Sequence, residues 1–258
     1  IDKDRGIGYL RLSQFTEETT TELRNAIAAM KRSPNGLGGL ILDLRYNPGG
    51  RLAEAVSVSN TFIDNGVIVS TEGNGSMEPP RSAEPGNSML GKTPLVVLIN
   101  QGSASASEIV SGAIRHYADK GDINALVIGE RSFGKGSVQN VWNLLPAKMK
   151  LTTQYYKLPD GRIIHRKPKA ATWGVEPHLT VSMLPEAESE ALKLRQEADV
   201  LEIDSQGNVV ETGKPRPDPR KLVDDGMDVQ LETALVILQG KAVSAQNQAA
   251  RPVNSTPQ

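Results

Sequence analysis

Two short apolar runs constrain the fold more than any other feature of the sequence. Residues 40–44 carry a single polar side chain, that of Asp43, and Leu95–Ile99 carries none. A strand that helices cover on both faces is hydrophobic along almost its whole length. Because segments of helical period separate these runs, the chain is predicted to be an α/β protein with a mostly parallel sheet.

Helices and further strands are predicted around these two runs. A helix begins at the capping box Thr19-x-x-Glu22, a second follows Asn47-Pro48-Gly49-Gly50, and a third starts near Ser105. From Val138 the pattern changes to short strands, with a hairpin turn at Pro159-Asp160-Gly161. The other predicted elements are strands at residues 9–12, 67–70 and 125–128, helices at 186–197 and 229–238, a polar loop at 73–91 and a linker at 207–221.

The chain divides into three predicted parts. Residues 1–182 form the core, and residues 183–245 form a C-terminal helical segment that packs on it. Residues 246–258 are polar and lack periodicity, which predicts a disordered tail.

Composition excludes several classes of partner. Lys and Arg number 29 against 30 Asp and Glu, so nothing favours nucleic acid or an anionic membrane surface as the main partner. The absence of cysteine excludes disulfides, thiolate nucleophiles and cysteine-ligated zinc. No apolar run reaches the ~18 residues of a membrane span, and no targeting segment is recognised.

The densest chemical signal is Asn100-Gln101-Gly102-Ser103-Ala104-Ser105-Ala106-Ser107-Glu108. It lies where a buried strand ends and a helix begins, and the carboxyl ends of such strands face the crevice in which α/β enzymes bind ligands. A serine there could attack a carbonyl carbon while a free N–H of the helix N-terminus stabilises the oxyanion. The alternative is a turn of small residues in which serines act as N-caps.

A nucleophilic serine needs a base, and Lys135 is the best candidate. It follows the predicted strand at 125–128 and therefore lies at the same edge of the sheet as Ser105. A lysine in water has a pKa of about 10.4, and burial between apolar walls would lower that pKa enough to leave a neutral amine. The alternative is an exposed loop lysine.

Two other readings of this region are weaker. Gly129-x-x-x-x-Gly134-Lys135 matches a phosphate-binding loop until Gly136, where Ser or Thr would hold magnesium, and a strand-like pattern follows instead of a helix. Nucleotide is therefore not predicted as a ligand. The three histidines lack HExxH or related spacing, so no metal is predicted. His116 lies about three helical turns from Ser105 on the same helix, which is too far for a direct hydrogen bond. The spacing does not exclude His165 and His178 as alternative bases.

A third segment, Asp43-Leu44-Arg45-Tyr46-Asn47-Pro48-Gly49-Gly50, could supply part of an oxyanion hole. Paired glycines at a strand-to-helix turn let the backbone approach a ligand and direct N–H groups at it. The N–H of Ala106 would be the other donor. The alternative is a tight turn in which a glycine only adopts positive φ.

Together these segments resemble the carboxyl-terminal-processing (tail-specific) proteases, serine–lysine peptidases with a ClpP/crotonase-like core. The resemblance covers roughly residues 5 to 240 and implies βαβ units with a mostly parallel sheet, then a β-rich segment and C-terminal helices. The segments that carry it are 39–50, 100–110, 129–139, 152–156, Pro159-Asp160-Gly161-Arg162 and Gly174-Val175-Glu176-Pro177.

The resemblance also implies a role for each site residue. Ser105 would be the nucleophile, Lys135 the base, and Gln139 the residue that orients the lysine. The oxyanion donors would be Ala106 and the Gly49-Gly50 turn. Lys135 and Gln139 would share one face of a strand if that strand began at Lys135.

The implied activity is that of a serine endopeptidase that cleaves protein or peptide substrates with accessible C-terminal tails and needs no cofactor. It implies an extracytoplasmic location, in the periplasm or at a membrane. Two departures are expected: no PDZ domain fits before Ile7, and His116 stands where some members have an aspartate. The alternatives are a non-catalytic peptide-binding module on a protease-like fold and a crotonase-type acyl-transfer enzyme, for which no carboxylate pair is evident.

Overall fold

A computed structural model describes residues 1–73, 79–199 and 220–249. The strands are β1 (Ile7–Arg11), β2 (Gly39–Asp43), β3 (Gly66–Gly73), β4 (Arg81–Ala83), β5 (Leu95–Ile99), β6 (Ala125–Gly129), β7 (Ser137–Leu144), β8 (Ala147–Lys157) and β9 (Leu179–Thr180). The helices are α1 (Thr19–Lys31), α2 (Leu52–Asn60), α3 (Ala106–Asp119), α4 (Pro185–Asp199), α5 (Lys221–Asp224) and α6 (Val229–Ala249).

The central sheet has five parallel strands in the order β1-β2-β5-β6-β9. Every residue of β2 and β5 is buried, because alternate side chains enter two separate apolar layers. Leu40 and Leu42 join a layer with residues of α1, α2 and α3, whereas Ile41 joins a layer with residues of α4, α5 and α6. The prediction of a mostly parallel α/β sheet covered on both faces is confirmed.

A second sheet is antiparallel, with the order β4-β3-β8-β7. Its strands β7 and β8 confirm the β-rich segment that was predicted to follow the βαβ units. The loop at residues 130–136 leads from β6 of the parallel sheet into β7. The carboxyl ends of β2, β5 and β6 therefore lie on one side of the molecule, next to the first residues of the antiparallel sheet.

Several local predictions differ from the structure. The Thr19–Glu22 capping box is wrong, because Thr19 Oγ1 instead accepts from the Thr16 N–H at 2.9 Å and donates to the Gln14 carbonyl. The β7–β8 hairpin turns at residues 145–146. At Asp160 the chain does turn, but it closes a single bridge between residues 157 and 163 instead of a second strand.

The C-terminal segment is more deeply packed than a surface helix. Ala191 and Arg195 of α4 are buried, and α6 packs across the parallel sheet and extends to Ala249. Most of the predicted linker, residues 207–219, and residues 250–258 of the predicted tail lie outside the described residues. Among the helices that the structure describes, none has both the length and the apolar character needed to cross a membrane.

Candidate active site

The chain turns sharply at Ser105, between β5 and α3. Ser105 is the N-cap of α3, with φ 57° and ψ −113°, a conformation that costs a non-glycine residue about 1–3 kcal/mol. The neighbouring turn holds it in place, since the carbonyl of Asn47 accepts from the Ala104 N–H and from Ser107 Oγ, each at 2.9 Å. Such a strained strand-to-helix turn raises a side chain above the edge of a sheet, where a ligand can reach it.

The three serines of the run have different roles. Ser103 and Ser107 are 0% exposed. Their hydroxyls donate to backbone carbonyls, Ser103 to Leu44 and Ser107 to Asn47, each at 2.9 Å. Ser105 is half-buried, and its Oγ accepts from the Glu108 N–H in a capping box, so it does act as an N-cap. Within the described residues its hydroxyl proton has no acceptor. Ser105 is thus the serine of this run whose proton is available to a base.

Glu108 joins the Ser105 turn to the lysine loop. Its side chain is 0% exposed. Its Oε2 accepts from the backbone N–H groups of Ser105 and Lys135, each at 2.8 Å. Its Oε1 accepts from the Ser132 hydroxyl and from the Gly134 N–H, each at 2.6 Å. Burial raises the pKa of the Glu108 carboxyl, and these four hydrogen bonds oppose that rise. One carboxylate therefore fixes the backbone of residue 105 relative to that of residue 135.

The Lys135 side chain is exposed, and its Nζ makes no hydrogen bond to Ser105 Oγ in the part of the chain described. The expectation of an amine buried between apolar walls is therefore wrong for this conformation. The neighbouring glycines explain why. A Cβ on Gly134 would lie 2.7 Å from Trp173 Cδ1, and one on Gly136 would lie 2.6 Å from the backbone nitrogen of His165. These glycines occupy the packed side of the loop and leave Lys135 on the open side.

Gln139 lies on β7, is exposed and pairs with Thr152 of β8. Because β7 begins at Ser137, Lys135 precedes the strand, and the condition for a shared face with Gln139 is not met. The structure thus places Gln139 four residues after the lysine on the connected strand, without a hydrogen bond between the two side chains.

The two histidines left open by spacing have different surroundings. His178 is a structural residue, because its Nδ1 accepts from the Val127 N–H at 2.8 Å and its Nε2 lies 3.0 Å from Asp119 Oδ1. His165 packs beside the lysine loop, with its ring centroid 4.9 Å from that of Tyr155. Burial lowers the pKa of His165. No cluster of three or more His, Asp or Glu side chains among the described residues is placed to hold a metal ion.

The Gly49-Gly50 turn packs directly against Ser105. Gly49 has φ 103°, and a Cβ there would lie 2.7 Å from Ser105 Cβ and 3.0 Å from the Ala106 nitrogen. The Gly49 N–H donates to Asn47 Oδ1 at 2.9 Å. The N–H groups of Gly50 and Ala106 have no acceptor among the residues described. The residues that follow Gly49 and Ser105 at this contact, Gly50 and Ala106, therefore each carry an unpaired N–H donor.

A buried charge cluster lies at the carboxyl end of β2. Arg45 donates to Asp43 through Nε at 2.9 Å and Nη2 at 2.7 Å, and to Asp228 through Nη1 and Nη2, each at 2.8 Å. Arg195 Nη2 donates to Asp228 at 2.7 Å, and its Nη1 lies 3.1 Å from Asp43 Oδ2. Burial alone would raise the pKa of Asp43, but Arg45 and Arg195 hold it well below its ordinary value.

Sequence reasoning missed Glu108 and this charge cluster. Asp43 interrupts an apolar strand and Glu108 lies in the first turn of a buried helix, and both are signals of paired buried charges. Their partners, however, are distant along the chain, so the sequence did not reveal the pairs.

Known proteins resemble this chain in sequence and in fold. The sequence pattern described as peptidase family S41 matches residues 6–181. A carboxy-terminal-processing protease of Bartonella bacilliformis is 38% identical over 255 residues, which cover 93% of this chain and 53% of that protein. A Staphylococcus epidermidis protein named "Probable CtpA-like serine protease" is 35% identical over 183 residues, 70% of this chain and 35% of that one.

A solved structure agrees with these relatives. The photosystem II D1 C-terminal processing protease superposes with a TM-score of 0.60 and 34% identity, over 68% of this chain and 42% of that one. The chain spans about half the length of the Bartonella relative and about a third of the Staphylococcus relative. The resemblance expected from the motifs is confirmed, and the chain belongs to peptidase family S41.

Proposed function

We propose that the chain carries the catalytic centre of a serine endopeptidase that cleaves protein substrates near their C-termini. The observation that carries the proposal is the setting of Ser105. Its hydroxyl lies on a strained turn and donates to no acceptor among the described residues, two unpaired N–H groups lie nearby, and Glu108 ties it to the lysine loop. The names of the relatives, which include carboxy-terminal-processing proteases, support this substrate class.

In the proposed reaction the Lys135 side chain rotates from solvent toward Ser105. Neutral Nζ accepts the proton of Ser105 Oγ as that oxygen bonds to the carbonyl carbon of the scissile peptide. The N–H groups of Ala106 and Gly50 donate to the resulting oxyanion. The lysine ammonium then gives its proton to the leaving amine as the C–N bond breaks, and an acyl ester remains on Ser105. Water attacks the ester, Lys135 takes the proton of that water and returns it to Ser105, and the acid product leaves.

Two further residues have supporting parts in the proposal. Gln139 would orient the Lys135 amine once the side chain has rotated, because it lies on the strand that continues the lysine loop. Gly49 would keep the backbone close to Ser105, since its own N–H already donates to Asn47 and leaves Gly50 as the donor from this turn.

The substrate would be a protein or peptide with an accessible C-terminal tail. β7 is the last strand in the order of the antiparallel sheet and begins two residues after Lys135. An extended peptide could add to this strand through backbone hydrogen bonds, which tolerate varied side chains. An extracytoplasmic location is proposed on the family resemblance alone.

The test is cleavage of a protein that ends in a fluorogenic C-terminal tail. Wild type is compared with Ser105→Ala, Lys135→Ala and His165→Ala. The matched control is Lys92→Ala, which changes an exposed lysine that precedes β5, at the opposite end of that strand from Ser105. The proposal expects turnover to vanish in the Ser105 and Lys135 variants and to persist in the other two.

Equal turnover in wild type, Ser105→Ala and Lys135→Ala would remove the dyad. Loss of turnover in His165→Ala together with normal turnover in Lys135→Ala would transfer the role of base to the histidine. Tail binding by the wild type without any cleavage would favour the peptide-binding alternative.

A further inference from the structure

The segment that leads from β2 into the Gly49-Gly50 turn is anchored to the C-terminal helices. Arg45 Nη1 donates to Asp228, the residue before α6, and to Gln230 Oε1 at 2.9 Å. The next residue, Tyr46, donates its hydroxyl to Glu188 of α4. Two consecutive side chains of this segment therefore form hydrogen bonds with α4, α6 and the residue before α6, all of which follow the antiparallel sheet in the chain.

The same segment contacts the nucleophile turn on its other side. Tyr46 has φ 58°, and its N–H donates to Asn100 Oδ1 at 3.0 Å, an oxygen that also accepts from the Gly102 N–H at 3.0 Å. A Cβ on Gly102 would lie 2.8 Å from Tyr46 Cα. Tyr46 thus lies between α4 and the loop that carries Ser105.

Arg195 extends the anchoring along α4. It is buried and contacts both Asp43 and Asp228. Two positions of α4 seven residues apart, Glu188 and Arg195, therefore contact the segment or its direct partners. Positions seven apart lie on one helix face, so a single face of α4 covers the end of β2.

We infer that Glu188 and Arg195 of α4, together with Asp228, are positioning residues of the active site. They act through Tyr46 and Arg45 on the turn that packs against Ser105 and supplies the Gly50 N–H. The inference rests on the proposed peptidase function. All three residues lie beyond residue 181, where the match to the family pattern ends, so this part of the site is not included in that pattern.

The donors of an oxyanion hole tolerate little displacement. Catalytic donors must stay within a fraction of an ångström of the oxyanion, and a displacement of about 1 Å can cost ~10²-fold in rate. Tyr46 holds a positive φ that the surrounding contacts must maintain. If the Tyr46 hydroxyl lost its hydrogen bond to Glu188, the backbone of Tyr46 could relax from this φ, and the turn that begins at Asn47 would shift.

The Tyr46–Glu188 pair gives the cleanest test, because both side chains are half-buried and neither belongs to the buried charge cluster. Glu188→Ala and Tyr46→Phe are each expected to lower kcat about tenfold with KM unchanged, and the double variant is expected to be no slower than either single one. Glu188→Gln keeps an acceptor and is expected to restore most of kcat. The matched control is Glu190→Ala, an exposed glutamate of the same helix.

Amide hydrogen exchange gives a readout that does not depend on activity. Glu188→Ala should speed exchange in residues 44–52 and leave residues 95–99 of β5 unchanged. The inference is overturned if Glu188→Ala matches Glu190→Ala both in kcat and in the exchange of residues 44–52 while Ser105→Ala is inactive. If wild type and Ser105→Ala give equal turnover, the proposed function fails instead, and faster exchange in residues 44–52 still supports the structural link while unchanged exchange overturns it.

Discussion

Substitution of Glu108 by glutamine tests the link between nucleophile and base. The carboxylate accepts four hydrogen bonds from groups on both sides of the site. Glutamine has one carbonyl oxygen in place of two carboxylate oxygens, and its NH2 group would face two donors. Two of the four donors therefore lose their acceptor, while the volume of the side chain stays the same.

The expected magnitude follows from these two lost acceptors. A buried donor without a partner costs about 1–3 kcal/mol, so the free energy of unfolding should fall by roughly 2–6 kcal/mol on the same basis. If the amide of Lys135 moves away from that of Ser105 by about 1 Å, the rate should fall by ~10²-fold. We therefore expect Glu108→Gln to lower kcat about a hundredfold and to leave KM nearly unchanged.

The assay is steady-state cleavage of the fluorogenic tail at a temperature where urea titration shows the variant to be folded. The control is Glu130→Gln in the same loop, because among the residues that the structure describes Glu130 Oε2 accepts only from the Gln101 side chain, at 3.1 Å on the surface. Ser132→Ala removes one donor of the four and gives a milder second variant. A folded Glu108→Gln variant with the kcat of Glu130→Gln would refute the reasoning.

Three other outcomes are expected. Gly49→Ala should abolish cleavage because its Cβ would lie 2.7 Å from that of Ser105, whereas Gly86→Ala, at φ 86° with nothing within 4 Å, should keep full activity; normal cleavage by the first would contradict the close contact. Ser107→Ala should lower the free energy of unfolding by about 1 kcal/mol and retain turnover, because the Ala104 N–H still donates to the Asn47 carbonyl. Ser105→Ala should lose turnover completely and, with its capping-box acceptor gone, about 1 kcal/mol of stability, as cleavage and urea titration together will show. Because the pKa of Asp228 is held below its ordinary value of 3.8, the unfolded chain binds more protons than the folded chain as pH falls through that value, and stability drops. The urea midpoints at pH 6 and pH 3 should therefore differ less in Asp228→Asn than in wild type. An equal difference in the two proteins would count against the charge cluster.

The parallel sheet could be predicted because its central strands, β2 and β5, are apolar along almost their whole length. β5 has the predicted bounds, Leu95–Ile99, and β2 is displaced from its prediction by one residue. β9 was missed because it is two residues long and exposed, so it carries no apolar pattern. The prediction of a capping box at Thr19 was wrong although the sequence has the capping-box pattern, because the Thr19 hydroxyl bonds instead to residues of the preceding loop.

The candidate site was predicted as three separate loops, and the structure brings those loops together. Ser105, Gly49 and the backbone of Lys135 do meet, because each follows a strand of one parallel sheet at the same edge. What joins them could not be read from the sequence. Glu108 reaches the lysine loop 27 positions away, and Arg45 reaches Asp228 183 positions away. Such pairs depend on the tertiary packing of elements that no local pattern connects.

The orientation of Lys135 also lay beyond the sequence. Glycines on both sides of the lysine were expected to let the loop pack close to the nucleophile, and the loop does so through its backbone. The glycines themselves take the packed positions, however, and the amine remains in solvent. The proposed chemistry therefore requires a side-chain rotation over a fixed main chain.

The central claim is that the Ser105 oxygen bonds covalently to the substrate carbonyl while Lys135 moves its proton. Acid quenching during turnover of the tail substrate, followed by mass spectrometry of the digested protein, tests it most directly. We predict an acyl adduct on the peptide that contains Ser105, formed far more slowly in Lys135→Ala and absent in Ser105→Ala. An adduct on another residue, or continued cleavage by Ser105→Ala, would contradict the account.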